Sequence, residues 1–371
     1  MAALPTIPTL LSGLGALVIG TIGGLVFSYL HLPLPWTLGS LFAVGVTAIL
    51  GSKALLPSST RHVARPMVGV LAGSAFTAEI VAIMALWWPV IPTIIVYTLV
   101  TAGLGTLFFM RACRYDKPTA IFAGFPGGLS ELTMVGASMG ADVRRLALVH
   151  TARVIVVIFS IPLIVQAWVG TPLTGTAPAA AAGHEEIIGL LDWAILIGCA
   201  FGGYLLRKLF RPLGGAMVAA LVLSAIAHGT GLTAAHPPAW LVATVQVVIG
   251  ATVGSRLGGA SRGELARSLM QGAVWAVALI AIAALTAFIA TRFLPFDAPT
   301  LLLAFSPGGL AEITLLAYAI GLEVAFVVTA QVCRVVGTLV LAPLILTLTG
   351  GGSPPADPPS TPSPADRQKE D

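Results

Sequence analysis

The sequence predicts an all-α polytopic membrane protein: two inverted repeats, each of five transmembrane helices plus one re-entrant Pro-Gly-Gly hairpin. Three observations carry that prediction. Of 371 residues, 57% are hydrophobic and 9% charged, with a mean hydropathy of +0.97; a soluble domain carries about 25% charged residues. Apolar stretches of about 20 residues, the length that crosses a bilayer, recur from end to end. The third observation is an internal repeat that sets Pro126 against Pro307, an offset of 181 residues.

Composition excludes a soluble enzyme, a nucleic-acid binder and a disordered scaffold. The net charge of +4 and pI of about 9.2 point to basic cytoplasmic loops, not to a nucleic-acid partner. Cys113, Cys199 and Cys333 have no CxxC spacing and indicate no disulfide framework. The opening run MAALPTIPTLLSGLGALVIG lacks a charged n-region, so it reads as the approach to a retained first span. Residues 350–371, rich in Pro, Ser and charge, read as a disordered cytoplasmic tail.

The repeat fixes the domain organisation. Asp116-Lys-Pro-Thr, followed by Phe125-Pro-Gly-Gly-Leu-Ser-Glu131, matches Asp297-Ala-Pro-Thr, followed by Ser306-Pro-Gly-Gly-Leu-Ala-Glu312. The same offset pairs Gly140 with Gly321, Arg153 with Arg334, and Gly69-x-x-x-Gly73-Ser74 with Gly250-x-x-x-Gly254-Ser255. Repeat 1 therefore covers 1–170, an Ala/Gly/Thr/Pro-rich linker 171–186, and repeat 2 187–349.

In chain order the apolar stretches of repeat 1 are 11–30, 36–51, 66–82, 86–110 and 143–167; those of repeat 2 are 187–206, 213–230, 239–255, 270–291 and 324–348. A sixth segment in each half, 118–139 and 299–320, is interrupted by Pro-Gly-Gly. Proline removes a backbone donor and glycine disfavours helix, so each is either a broken span or a hairpin that leaves on the side it entered. Basic residues choose between these. With hairpins, one face receives the clusters Lys53–Arg65, Arg111–Lys117, Arg144–Arg145, Arg207–Arg211 and Arg256–Arg267, while Arg292 stands alone opposite. The positive-inside rule then gives ten spans, both termini in the cytoplasm, and halves of opposite topology.

Inverted repeats with discontinuous elements near the midplane are a plan of secondary transporters, because two similar halves facing opposite ways can exchange conformations around one site. The expected solute site gathers Pro126, Gly127, Gly128, Ser130 and Thr133 from one hairpin and Pro307, Gly308, Gly309 and Thr314 from the other. Helix N-termini beyond the glycines carry positive partial charge toward a small organic anion. Intramembrane charge marks a pathway or a coupling site. Glu131 and Glu312 either couple a proton or cation, or stabilise the first helical turn; Arg153 and Arg334 either bind substrate or neutralise those glutamates. Thr133 and Thr314 either donate to ligand or bond their own helix carbonyls. His150, one turn before Arg153, reads as a polar packing residue, and the two GxxxG motifs as helix-packing surfaces. Trp36, Trp87, Trp88, Trp168, Trp193 and Trp240 fall near span ends as interfacial residues.

At the duplicated Pro-Gly-Gly-Leu-x-Glu block and the Pro35-Trp-x-Leu-Gly39 run, the sequence resembles the AbrB family of bacterial inner-membrane proteins. Repeat 2 lacks the Pro-Trp of that run, carrying Pro212-Leu-Gly-Gly instead. The resemblance implies a duplicated membrane domain in a bacterial inner membrane. It also implies a likeness to cation–proton antiporter and bile-acid-symporter-like folds, in which a homodimer is common. The family is often labelled an ammonia monooxygenase or a regulator. The enzyme label finds no support in the residues. The six histidines are dispersed, with no metal-ligand spacing, no GxxxxGK[ST] and no nucleophile grouping, so neither metal nor cofactor is expected. The partners expected are a small-molecule solute and the lipid bilayer. The regulator label leaves a second reading, a membrane-embedded sensor signalling to a cytoplasmic partner.

Overall fold

The computed structural model describes residues 7–32, 34–52, 54–56, 60–169, 188–257 and 262–350, apart from a few side chains, among them those of residues 129–131. The linker 171–186 and the tail beyond 350 lie outside the described residues. Those described form helices and turns with no strand. The first half contains α1 (Ile7–Tyr29), α2 (Pro35–Ile49), α3 (Arg61–Gly73), α4 (Ala78–Ile83), α5 (Val90–Arg111), α6 (Lys117–Gly124), α7 (Leu129–Ser138) and α8 (Val143–Val169). The second contains α9 (Leu190–Leu205), α10 (Ala216–Gly229), α11 (Ala239–Gly254), α12 (Arg262–Ala290), α13 (Ala298–Phe305), α14 (Leu310–Ile320) and α15 (Val324–Leu348).

Seven of the described helices are long and apolar enough to cross a membrane; the bent pair Ala64–Gly73 and Ala78–Trp87 makes an eighth. The chain is a multi-pass membrane protein. Two stretches read as spans are shorter than that test requires. α2 has 15 residues and α10 has 14, each about 22 Å long. The stretch 66–82 is not one straight helix either: it bends by 72° between α3 and α4. α4 starts afresh after Thr77, whose extended backbone and hydroxyl, accepting from the Ile80 amide, make it an N-cap.

The offset of 181 reappears in the helix boundaries. α6 and α13 start at 117 and 298, α7 and α14 at 129 and 310, α8 and α15 at 143 and 324. Gly140 (φ 82°) and Gly321 (φ 71°) both take the left-handed conformation that closes the second helix of each pair. Contacts repeat with the halves exchanged: α3 packs on α10 as α11 packs on α2, and α8 packs on α12 as α15 packs on α5. The GxxxG motifs make the first of these contacts. A Cβ on Gly69 would lie 2.2 Å from the Met217 carbonyl oxygen, and one on Gly250 2.3 Å from that of Thr37. Only glycine permits such approach.

The outer ends of each broken pair meet. The Asp142 amide, beyond α7, donates to Thr119 Oγ1 in the first turn of α6 at 2.8 Å, and the Arg145 guanidinium lies 5.3 Å from the Tyr115 ring centroid. At the equivalent positions of the second half, the Phe296 and Phe326 rings stack at 3.7 Å. Tyr115, at the C-terminal end of α5, donates to Gln271 on α12 at 2.7 Å. Trp87, at the N-terminal end of α5, packs edge-on against Phe296 and Phe326. The two pairs thus begin and end at opposite ends of α5, whose 22 residues span about 33 Å.

Candidate functional site

Both breaks have the same local cause. A residue before proline is pushed out of the helical region, and Phe125 and Ser306, each before a proline, are extended (ψ 137° and 133°). Gly128 and Gly309, which precede α7 and α14, are extended as well (ψ 138° and 148°). Extended backbone at this depth has carbonyls with no helical partner, and a buried one must find a donor.

Arg153 and Arg334 supply the donors. Both are 1% exposed. Arg153 donates to the carbonyls of Phe125, at 3.0 Å, and Gly127. Arg334 donates to those of Phe305, Ser306 and Gly308, and to Gln331 Oε1. Among the described residues no carboxylate lies within 4.0 Å of either guanidinium. The arginines hold the broken backbone; neither makes an ion pair with Glu312 within 4.0 Å, the Glu131 side chain lies outside the described residues, and neither arginine lines the cavity described next. Gln331 adds bonds from Nε2 to the carbonyls of Leu303, Ala304 and Ser306. His150, its counterpart, faces the Phe122 carbonyl, but neither ring nitrogen makes a hydrogen bond of ordinary geometry.

In front of the breaks lies a cavity enclosing about 770 Å³ of space between atoms, its mouth included. Both halves line it: Gly128 from the first break, Gly308, Gly309 and Glu312 from the second, with Arg65 from α3 and Arg256 from the end of α11. Val154, Ile249, Val253 and Val335 form apolar walls. The Glu312 carboxylate folds back over the start of α14, so that a Cβ on Gly309 would lie 2.0 Å from its Oε2. Arg256 feels the charge of Glu312, yet the two form no ion pair within 4.0 Å.

Four of the residues expected from the sequence, Gly128, Gly308, Gly309 and Glu312, therefore meet in one cavity. Pro126, Gly127 and Pro307 are buried behind it. Gly127 abuts Thr338 on α15, and Gly308 reaches Val157 on α8, so each break leans on the last helix of the other half. Thr314 is buried and donates to the Leu310 carbonyl of its own helix at 2.7 Å. Thr133 is half-buried on α7. Ser130 and Glu131 sit in the first turn of α7, and their side chains lie outside the described residues. Arg65 and Arg256 were not among the expected site residues, because each reads in the sequence as one more basic loop residue. Among the described residues no three His, Cys, Asp or Glu side chains cluster as metal ligands.

A family model described as transition state regulatory protein AbrB matches residues 36–350, most of the chain. The chain belongs to the AbrB family. "Uncharacterized protein YhjN" of Bacillus subtilis (strain 168) is 25% identical over 353 residues, covering 90% of this chain and 92% of that protein. "Putative regulator AbrB" of Escherichia coli (strain K12) is 26% identical over 325 residues, covering 86% and 91%. The AbrB match takes in both breaks, both arginines and every cavity residue named above.

Proposed function

We propose that this AbrB-family protein is a secondary transporter of a small organic anion in the bacterial inner membrane. It works by alternating access at the cavity between the Pro-Gly-Gly breaks, with Glu131 or Glu312 coupling a proton or another cation. The observation that carries the reading is that single cavity, lined by break glycines of both halves together with Arg65, Arg256 and Glu312. Such a lining suits an anion moving between two mirror-like halves.

The meeting ends of each broken pair support the re-entrant form, and their positions at opposite ends of α5 support the inverted form. Counting α2, α10 and the bent pair as spans then gives five per half. Arg111, Arg114, Lys117, Arg144 and Arg145 gather at the mouth of the first hairpin, which makes that face cytoplasmic under the positive-inside rule. The printed names of the family and of the E. coli relative favour a second reading, a membrane-embedded regulator signalling to a cytoplasmic partner. Uptake of a radiolabelled panel of small carboxylates into proteoliposomes, with and without a proton gradient, separates the two. A transporter moves at least one member, and Glu131→Gln or Glu312→Gln abolishes or uncouples the flux. A regulator moves none and tolerates both changes.

A further inference from the structure

We propose that the site takes up its anion from the arginine-rich face, and that Arg256 sets this sidedness. For the existence of an opposite-facing state the proposal rests on the transport reading. The argument comes from the repeat. The offset that pairs the breaks pairs each cavity residue with a counterpart. Val253 and Ile249 match Ala72 and Val68, and all four are buried; the contrast lies at Leu213 and Gly214, half-buried at the cavity, whose counterparts at an offset of 179 residues, Leu34 and Pro35, are buried. Leu34, Ala72, Phe76 and Phe305 lie in one buried cluster, which Val253 joins from the cavity side. The described conformation is thus open toward the end of α11 and closed at the corresponding place. Exchanging the two half-conformations would open the counterpart of this cavity, against Ala72 and Gln246.

The walls would match in shape and differ in charge. Arg256 corresponds to Ala75, and Arg65 to the buried Gln246. Both cations therefore belong to the arginine-rich side, where Arg256 makes no ion pair with Glu312 and projects its charge into the cavity. A cleft lined by one sign of charge between low-dielectric walls concentrates ions of the other sign and speeds their arrival. An anion entering past Arg256 is drawn in. One entering through the counterpart cavity meets a neutral alanine and an amide.

Small charged thiol reagents test this without knowledge of the natural solute. The full chain, with Cys113, Cys199 and Cys333 replaced by alanine, carries Val253→Cys or Ala72→Cys in inside-out and right-side-out vesicles. Anionic sulfonatoethyl methanethiosulfonate is compared with cationic trimethylammonioethyl methanethiosulfonate, each normalised to its rate with a free thiol. The expected result is that Val253→Cys reacts from the arginine-rich face with about a tenfold preference for the anion. Arg256→Gln removes that preference and Arg256→Lys, which keeps the charge, restores it. Ala72→Cys, modified from the opposite face, shows none. A preference that survives Arg256→Gln, no preference at Val253→Cys, or an equal preference at Ala72→Cys overturns the proposal. If Ala72→Cys never reacts from the far face while Val253→Cys behaves as expected, the alternating-access reading fails and takes the sidedness with it; the attraction by Arg256 stands.

Discussion

The two breaks share a sequence motif and a backbone path, but they are not held equally. In the first half Arg153 bridges two carbonyls, and His150 beside it forms no hydrogen bond of ordinary geometry. In the second half Arg334 bridges three carbonyls, and Gln331 reaches three more contacts along the same strand of chain while accepting from Arg334. Duplication preserved the break; divergence of a single helical position, His150 against Gln331, altered how firmly it is fixed. Such inequality makes the first break the softer element.

The sharpest way to break that comparison is to remove the arginines in turn. Replacing either by methionine keeps most of the volume and strands the carbonyls, each unsatisfied group costing about 1–3 kcal/mol. Arg334→Met should lose about 4 kcal/mol and Arg153→Met about 2 kcal/mol, read as thermal unfolding of the detergent-solubilised protein. Equal losses would remove the distinction. The next effect should be symmetrical. Gly69→Ala and Gly250→Ala both drive a methyl into a carbonyl oxygen of the facing helix, so each should cost about 1–3 kcal/mol. If only one is costly, the α3–α10 and α11–α2 contacts are not equivalents. A smaller effect has the opposite sign. His150→Gln copies the second half into the first; one added hydrogen bond should stabilise by about 1 kcal/mol. Loss of stability would mean the histidine is held by more than its packing.

Much of this was legible in the sequence because a gapless repeat forces corresponding residues into corresponding places. The boundaries at Val143, where Asp142 accepts from the Arg144 and Arg145 amides, at Asp116 and Asp297, and at the two prolines follow from caps and breakers that act locally. What stayed hidden depends on distant partners. The 72° bend after Gly73 has only a weak local signal, the Thr77 cap with Glu79 in the turn that follows, inside a stretch that is otherwise apolar. Arg153 and Arg334 were read against the nearest carboxylates in the motif; the need for donors becomes visible only once the extended backbone beside them is seen. Arg65 and Arg256 belong to basic clusters that topology rules count without regard to where a side chain points. A cavity is a relation between helices far apart in the chain, and one chain's sequence does not state it.

The smallest predicted difference lies at the outer ends of the two broken pairs. Asp116 caps α6 by accepting from the Thr119 amide at 3.1 Å and from the Thr119 hydroxyl at 2.9 Å. That hydroxyl oxygen in turn accepts from the Asp142 amide, so one carboxylate orients the group that ties the far end of α7 to the start of α6. Asp297 caps α13 through a single bond, from the Thr300 amide at 3.2 Å. Loss of a cap costs about 0.5–2 kcal/mol. Asp116→Ala should therefore fall near 1 kcal/mol and Asp297→Ala nearer 0.5 kcal/mol, a gap too narrow for melting curves alone. Amide hydrogen exchange separates them. Asp116→Ala frees the Thr119 hydroxyl to rotate and should speed exchange at Asp142, whereas Asp297→Ala should confine its effect to the first turn of α13. Unchanged protection at Asp142 would mean that the Arg145–Tyr115 contact holds the outer ends of the first pair together without help from the cap.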